Sequence, residues 1–294
     1  MTCIKGRILK GIGGFYTIES ADSSLLLTAK AAGIFRHQRL KPVVGDYVTV
    51  SGESDSYVIA EIEKRYNFFV RPPVANVDRA VLVFALSHPK PDLLLLDKLL
   101  IACEENDVET MICFTKRDTV DDAPVAQIYR KTPYPVYEIN ATNPNDLEAI
   151  AEFCAGHTVF LAGPSGVGKS TITNGLVGEK TMDTGSLSAK LGRGKHTTRH
   201  VELIHLKNGG YLADTPGFSS LAPACADSVS LAKYYPEFPL GGCRFLDCRH
   251  KSEPGCAVRA AAESGDISRV RYENYLTLLQ TIESIENKRG RRGE

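Results

Sequence analysis

Gly163-Pro164-Ser165-Gly166-Val167-Gly168-Lys169-Ser170 lies in the middle of the chain, with Thr115-Lys116-Arg117-Asp118 before it and Asp214-Thr215-Pro216-Gly217 after it. The central motif matches a phosphate-cradling loop at every fixed position. Its glycines let backbone N–H groups face phosphate oxygens, Lys169 reaches the β- and γ-phosphates, and the Ser170 hydroxyl ligates Mg²⁺. No other feature constrains the fold as much, because such a loop works between a buried strand and the N-terminus of a helix. The flanks meet that demand. His157 to Ala162 reads as a short buried strand, and the residues from Ser170 and Thr171 onward open a helix.

The outer motifs acquire meaning from the central one. Asp214 stands where a phosphate-loop enzyme places a carboxylate that supports Mg²⁺, and the Gly217 N–H would contact the γ-phosphate as a switch. Thr115-Lys116-Arg117-Asp118 follows Glu109–Phe114, which reads as a parallel strand. A carboxylate at Asp118 can accept from both guanine N1–H and the exocyclic amine, whereas adenine offers no matching pair of donors. Asp118 therefore argues for GTP over ATP. Thr115 occupies a position where Asn is commoner, so contacts to base N7 and the bracing of the loop must be made differently. Ala141, after Ile139-Asn140, lies where a backbone N–H would meet guanine O6; a plain loop after a strand explains that segment equally well. Ordinary small GTPases run phosphate loop, Asp-x-x-Gly, guanine motif. Here the guanine motif comes first, which is the order of a circularly permuted GTPase.

The chain has 294 residues, enough for more than one core. Acidic and basic residues balance at 35 each, so global charge implies no partner. Charge is segregated instead: residues 1–41 carry seven Lys/Arg against Glu19 and Asp22, and residues 190–200 hold four Lys/Arg and two His. Each patch reads either as a nucleic-acid surface or as a solvated basic face. No secretory leader precedes Cys3, and the longest apolar run, Ala80–Leu86, is far short of a membrane span. A soluble, cytoplasmic protein without a membrane partner is expected; nothing demands a dimer, so a monomer is expected too.

Eight cysteines form two populations. Cys3, Cys103, Cys113, Cys154 and Cys225 are scattered and read as buried reduced thiols. Cys243, Cys248, His250 and Cys256 fall within fourteen residues among Gly241, Gly242, Pro254 and Gly255. Three Cys and one His supply the N/S set that tetrahedral Zn²⁺ prefers, and four protein ligands leave no open position, so one structural zinc ion is expected.

Organisation follows in three parts. Residues 1–70 show five short β segments with turn compositions between them, which fit a closed barrel of the OB type or an SH3-like barrel without a nucleic-acid role. An OB barrel would offer Phe15, Tyr16, Phe35, Arg36, His37 and Arg39 for stacking and charge. Arg71-Pro72-Pro73 reads as a linker. Residues 71–222 alternate strands and helices as a doubly wound α/β sheet carrying the nucleotide motifs. Residues 223–294 read as helices around the zinc loop. The last helix is opened by Asp266 as N-cap and presents Tyr275, Leu278, Ile282 and Ile285 on one face.

With these residues in view, the chain resembles the small-ribosomal-subunit-dependent GTPase family RsgA, essentially from end to end. The permuted motif order carries the resemblance, together with Gly192–Thr198 and the Cys-x₄-Cys-x-His-x₅-Cys site. The resemblance implies an N-terminal OB domain, a permuted GTPase domain and a C-terminal zinc domain. It further implies slow GTP hydrolysis stimulated by the small ribosomal subunit, that subunit and its rRNA as partners, and a role in its late maturation.

Residue chemistry extends this. In Ras-like enzymes a Gln that orients the attacking water follows the Asp-x-x-Gly motif; here that position is Phe218, which cannot hydrogen-bond water. His196 is the candidate to replace it, since imidazole can orient water or move a proton near neutral pH, and the resemblance points to the same residue. A phosphate contact to RNA is the other reading of His196. Thr198 or Thr197 would supply the switch hydroxyl that reaches Mg²⁺ when the γ-phosphate is present. The chain then passes from the switch segment into the zinc region, so GTP-dependent ordering is expected to change the orientation of that region. A non-catalytic RNA-binding protein that uses GTP as a structural or switch ligand is the alternative function.

Overall fold

The computed structural model describes residues 2–23, 25–33, 35, 40–52, 56–177, 201–214 and 227–290. Its strands are β1 (Thr2–Ile12), β2 (Phe15–Ser20), β3 (Leu26–Ala31), β4 (Tyr47–Gly52), β5 (Tyr57–Ile62), β6 (Phe68–Val70), β7 (Pro73–Ala75), β8 (Arg79–Ala85), β9 (Glu109–Thr115), β10 (Val136–Glu138), β11 (Thr158–Ala162), β12 (Glu202–His205) and β13 (Tyr211–Asp214). Its helices are α1 (Leu93–Glu104), α2 (Pro124–Tyr129), α3 (Glu148–Cys154), α4 (Lys169–Leu176), α5 (Ala257–Ser264) and α6 (Arg269–Gly290). The chain forms two compact units from separated segments. One comprises Met1–Val81, Ala141–Ala162 and Lys169–Leu221; the other comprises Leu82–Asn140, Gly163–Gly168 and Ala222–Glu294.

In the first unit, β1 to β5 close a barrel in the order β1-β2-β3-β5-β4, with β4 returning to β1. All neighbours are antiparallel except β3 and β5, which run parallel. This is the OB arrangement rather than an SH3-like one. Alternation along the strands turns Ile8, Ile18, Val48, Val50 and Ile59 into a fully buried core. At Gly6 a Cβ would lie 2.4 Å from the Glu19 carbonyl oxygen, so the close crossing of β1 and β2 requires glycine there.

The expected linker is part of the folded structure. Arg71 and Pro72 form the turn of the β6–β7 hairpin, and Val74 is fully buried. Asn76 follows, buried: its carbonyl accepts from Arg7 at 2.8 Å, and its amide donates to the Gly45 carbonyl at 3.0 Å. Pro72 therefore lies in a turn, and Pro73 opens a strand, in a stretch that local composition alone reads as a spacer. The same unit contains β11, β13 and β12, in that order beside β1. β11 and β13 are parallel, β13 and β12 antiparallel, and β12 meets β1 at Lys10 and Glu202.

The second unit holds the order β10-β9-β8 with β9 and β10 parallel. Ala80–Ala85 and Met111–Phe114 are buried throughout, as strands covered on both faces must be. Asp92 caps α1 by accepting from the Leu95 N–H at 3.0 Å. Ile101 of α1 enters one apolar cluster with Leu231, Tyr235, Phe238, Val258, Tyr275 and Leu279, so the C-terminal helices share a core with α1 of this unit. On α6, Tyr275 and Leu278 are buried and Ile282 packs on the cluster, but Ile285 is exposed. Asp266 is not the cap of α6: the helix begins at Arg269, and the Asp266 carboxylate accepts from the Ser264 hydroxyl. No helix among the described residues is long and apolar enough to cross a membrane.

Candidate nucleotide site and metal centre

Buried strand β8 ends beside the phosphate loop of the second unit. Gly163 has φ +142°, and a Cβ on it would lie 1.9 Å from the Val83 carbonyl oxygen, so only glycine fits. Gly166 and Gly168 also adopt positive φ, at +77° and +98°. Between them Val167 is buried, while Ser165 is exposed and Pro164 half-buried. Successive N–H groups in such a turn form an anion-binding concavity.

Thr115, the first residue of the expected guanine motif, ends β9 fully buried. Its hydroxyl donates to the Val167 carbonyl at 2.6 Å, with the Phe84 carbonyl at 3.3 Å as a longer neighbour. A hydroxyl has one proton, so the short contact is the bond and the other is secondary. The first residue of the guanine motif is thus tied directly to the phosphate loop. Lys116 takes the left-handed conformation, with φ +61°, and its ammonium donates to the His88 carbonyl. The turn Arg117–Thr119 then presents Asp118 to solvent. Arg117 points elsewhere: it pairs with Glu138 at 3.1 Å and donates to the Val120 carbonyl at 2.6 Å, which braces the turn.

In the first unit, Lys169 opens α4 half-buried, and burial lowers its pKa from the ordinary lysine value. Ser170 and Thr171 are exposed in the first turn of α4, where unpaired N–H groups and the helix dipole favour anions. Ala141 is half-buried in the turn after β10. Asp214 is the exposed last residue of β13 and is the ladder partner of Glu202 in β12. His196, Thr197, Thr198, Gly217 and Phe218, and with them the expected switch rearrangement, lie outside the described residues, as does Cys225.

The metal-ligand set comes together in the second unit. Ligand atoms of Cys243, Cys248, His250 and Cys256 all lie within 4.8 Å of one another. His250 Nδ1 is 3.5 Å from Cys243 Sγ and 3.4 Å from Cys256 Sγ. Tetrahedral zinc with ordinary bond lengths would set such edges at about 3.6 Å, so the residues fit the ion. Burial lowers the pKa of His250, although Glu253 opposes it, and the neutral imidazole is the form that ligates. Cys256 caps α5 by accepting from the Arg259 N–H at 3.4 Å. For Cys243, burial works against the thiolate, but N–H groups of Ala257 and Val258 reverse the balance and lower its pKa.

Several supporting residues carry no signal in sequence. Glu253 accepts from the N–H groups of Arg249, Lys251 and Ser252, which folds the loop around His250. Tyr272 and Tyr275 of α6 donate to the carbonyls of His250 and Arg249 at 2.7 Å and 2.9 Å, holding the loop from the other side. His250 itself has φ +57°. These contacts orient the ligands as outer-shell partners do. Among the remaining cysteines, Cys103, Cys113 and Cys154 are buried as expected, whereas Cys3, near the start of β1, is exposed.

On the barrel, a cleft of about 650 Å³ is lined by Gly13, Phe15, Tyr16, Lys30, Phe35 and Lys41, among others. Phe15 is 49% exposed with the Lys30 ammonium 4.9 Å from its ring centre. Tyr16 and Phe35 are buried, so of the aromatics expected to stack on bases only Phe15 offers a face; Arg36, His37 and Arg39 lie outside the described residues.

Comparison with known proteins covers the same ground. Residues 5–58 match the family model described as RsgA N-terminal domain, and residues 62–223 match the one described as RsgA GTPase. A small ribosomal subunit biogenesis GTPase RsgA of Clostridium perfringens is 42% identical, covering 98% of this chain and 100% of that protein. Its namesake in Ruminiclostridium cellulolyticum is also 42% identical, over 98% and 97%. Among solved structures, YloQ, described as a circularly permuted GTPase, superposes with a TM-score of 0.80 at 34% identity over 96% of each chain. YjeQ from Thermotoga maritima gives 0.79 at 30% identity, over 96% and 99%.

Proposed function

The chain belongs to the RsgA GTPase family, and from that premise we infer that it hydrolyses GTP to GDP and phosphate in the biogenesis of the small ribosomal subunit. The observation that carries the reading is the Thr115 hydroxyl on the Val167 carbonyl, a bond that joins a guanine-selective motif to a phosphate loop in the permuted chain order. In this reading Asp118 selects guanine, and the Ala141 N–H adds a contact to O6. Gly163 to Gly168 cradle the phosphates, with Lys169 and Thr171 at the helix start. Ser170, Thr198 and Asp214 hold Mg²⁺, which neutralises charge on the β- and γ-phosphates, and Gly217 senses the γ-phosphate. His196 positions the attacking water.

Zinc is the ion assigned to Cys243, Cys248, His250 and Cys256, in a structural role. The partner is the small subunit and its rRNA, met in part by Phe15 and Lys30 in the barrel cleft. The protein acts as a cytoplasmic monomer, with working limits of 1–70 for the OB domain, 71–222 for the GTPase domain and 223–294 for the zinc domain.

GTP turnover by the protein alone, with small subunits and with large subunits tests this, with His196→Ala alongside. Stimulation by small subunits only, lost in the variant, is the expected outcome. A variant that binds and turns over GTP as the parent does in every condition would instead favour an RNA-binding protein with GTP as a structural ligand.

A further inference from the structure

Strand β13 ends at Asp214, and three residues earlier the same strand is fastened to the barrel. Tyr211 donates its hydroxyl to Glu19 of β2, and its ring centre lies 5.0 Å from the Arg7 guanidinium, which is also 4.8 Å from the Tyr47 ring centre. His205 of β12 adds a contact of 3.0 Å to Glu19. At the far end of the hairpin, Lys10 of β1 is the ladder partner of Glu202 and pairs with it at 2.9 Å, and Glu202 is in turn the ladder partner of Asp214. Lys10, Glu202 and Asp214 therefore stand abreast across β1, β12 and β13, inside one compact unit.

The barrel side of this contact is buried and hydrogen-bonded. Arg7 and Glu19 are buried, and Arg7 also donates to the carbonyls of Gly45 and Asn76 at 3.3 Å and 2.8 Å. Bonds among buried polar groups cannot be exchanged for water without loss, so they hold the hairpin where the barrel puts it. We propose that Lys10 and Tyr211 are positioning residues for Asp214: the barrel, through these two side chains, sets where the end of β13 lies and thereby how firmly the chain retains Mg²⁺ with nucleotide. The proposal rests on the reading of Asp214 as a Mg²⁺-supporting carboxylate.

The test is release of a fluorescent GDP from the full-length protein across a Mg²⁺ titration, run without chelator so that metal at the cysteine site is retained. Parent, Lys10→Met, Tyr211→Phe and Asp214→Asn are compared. Loss of one hydroxyl or one ion pair should raise the Mg²⁺ concentration for half-maximal retention by roughly three- to tenfold, with release in the absence of Mg²⁺ unchanged within about twofold. If Asp214→Asn shifts the midpoint and neither Lys10→Met nor Tyr211→Phe does, the proposal is wrong and the reading of Asp214 stands. If Asp214→Asn leaves the midpoint where it was, that reading fails and takes the proposal with it. Should Lys10→Met fold poorly by circular dichroism, Tyr211→Phe decides alone, since it removes one oxygen and keeps the ring against Arg7.

Discussion

Thr115 is the residue at which this chain departs from the commoner guanine motif, and its burial makes the departure testable. Thr115→Val keeps the shape and leaves the Val167 carbonyl without its donor. An unsatisfied buried acceptor costs about 1–3 kcal/mol, so GDP release should accelerate by roughly tenfold or more in a stopped-flow experiment, and Thr115→Ser should restore the parent rate. Gly163→Ala is predicted to abolish nucleotide binding by calorimetry, because its Cβ would meet the Val83 carbonyl oxygen. In the proposed contact to guanine N1–H and the exocyclic amine, Asp118→Asn exchanges one acceptor for a donor. Competition assays should show GTP affinity falling by roughly a hundredfold or more, with xanthine nucleotide, whose C2 oxygen accepts, gaining over GTP.

Among the elements, α1 and α6 are joined by a buried ion cluster. Arg271 donates to Asp97 at 2.6 Å and to Glu237 at 2.8 Å, and Asn274 and Tyr129 complete the shell of Asp97. Burial raises the pKa of Asp97 while these partners pull it back. Arg271→Met would strand two buried carboxylates, and breaking such a pair costs about 3–5 kcal/mol. A urea melt should show that loss, and adding Asp97→Asn with Glu237→Gln should recover much of it. No periodicity announces this cluster. Asp97 and Arg271 lie on helices and Glu237 in a turn, and only packing reveals that the arginine faces both carboxylates.

At the scale of the whole molecule, each unit is assembled from segments distant in sequence, and the cysteines report on its integrity. Burial pushes the thiols of Cys103 and Cys154 up to about 12 and that of Cys113 upward, so they should resist alkylation at neutral pH. Among the described cysteines, only Cys3 should label in the metal-loaded native protein. A chelator should release Cys243, Cys248 and Cys256 to the reagent and lower the melting temperature, since Cys256 belongs to the cluster that Ile101 and Tyr275 complete. Mass spectrometry before and after chelation, and again after unfolding, checks all three steps.

Local chemistry written in contiguous residues was legible without a structure. The phosphate loop needs its glycines and lysine at fixed spacing, the metal set needs its four ligands within one loop, and buried strands such as β8 and β9 need unbroken apolar runs. The five barrel strands were legible by alternation, to within a few residues at their ends. What depended on the tertiary structure was every property that arises when separated segments meet. Strand order distinguished an OB barrel from other small barrels, and packing of Val74 turned an apparent linker into a hairpin. The Ser264 hydroxyl drew Asp266 away from the helix cap. Thr115 gained its role only when β9 came against Val167, and Tyr211 when β13 came against Glu19. Motif spacing is fixed along the backbone by local geometry, whereas bracing contacts arise from burial and proximity, which the linear chain does not display.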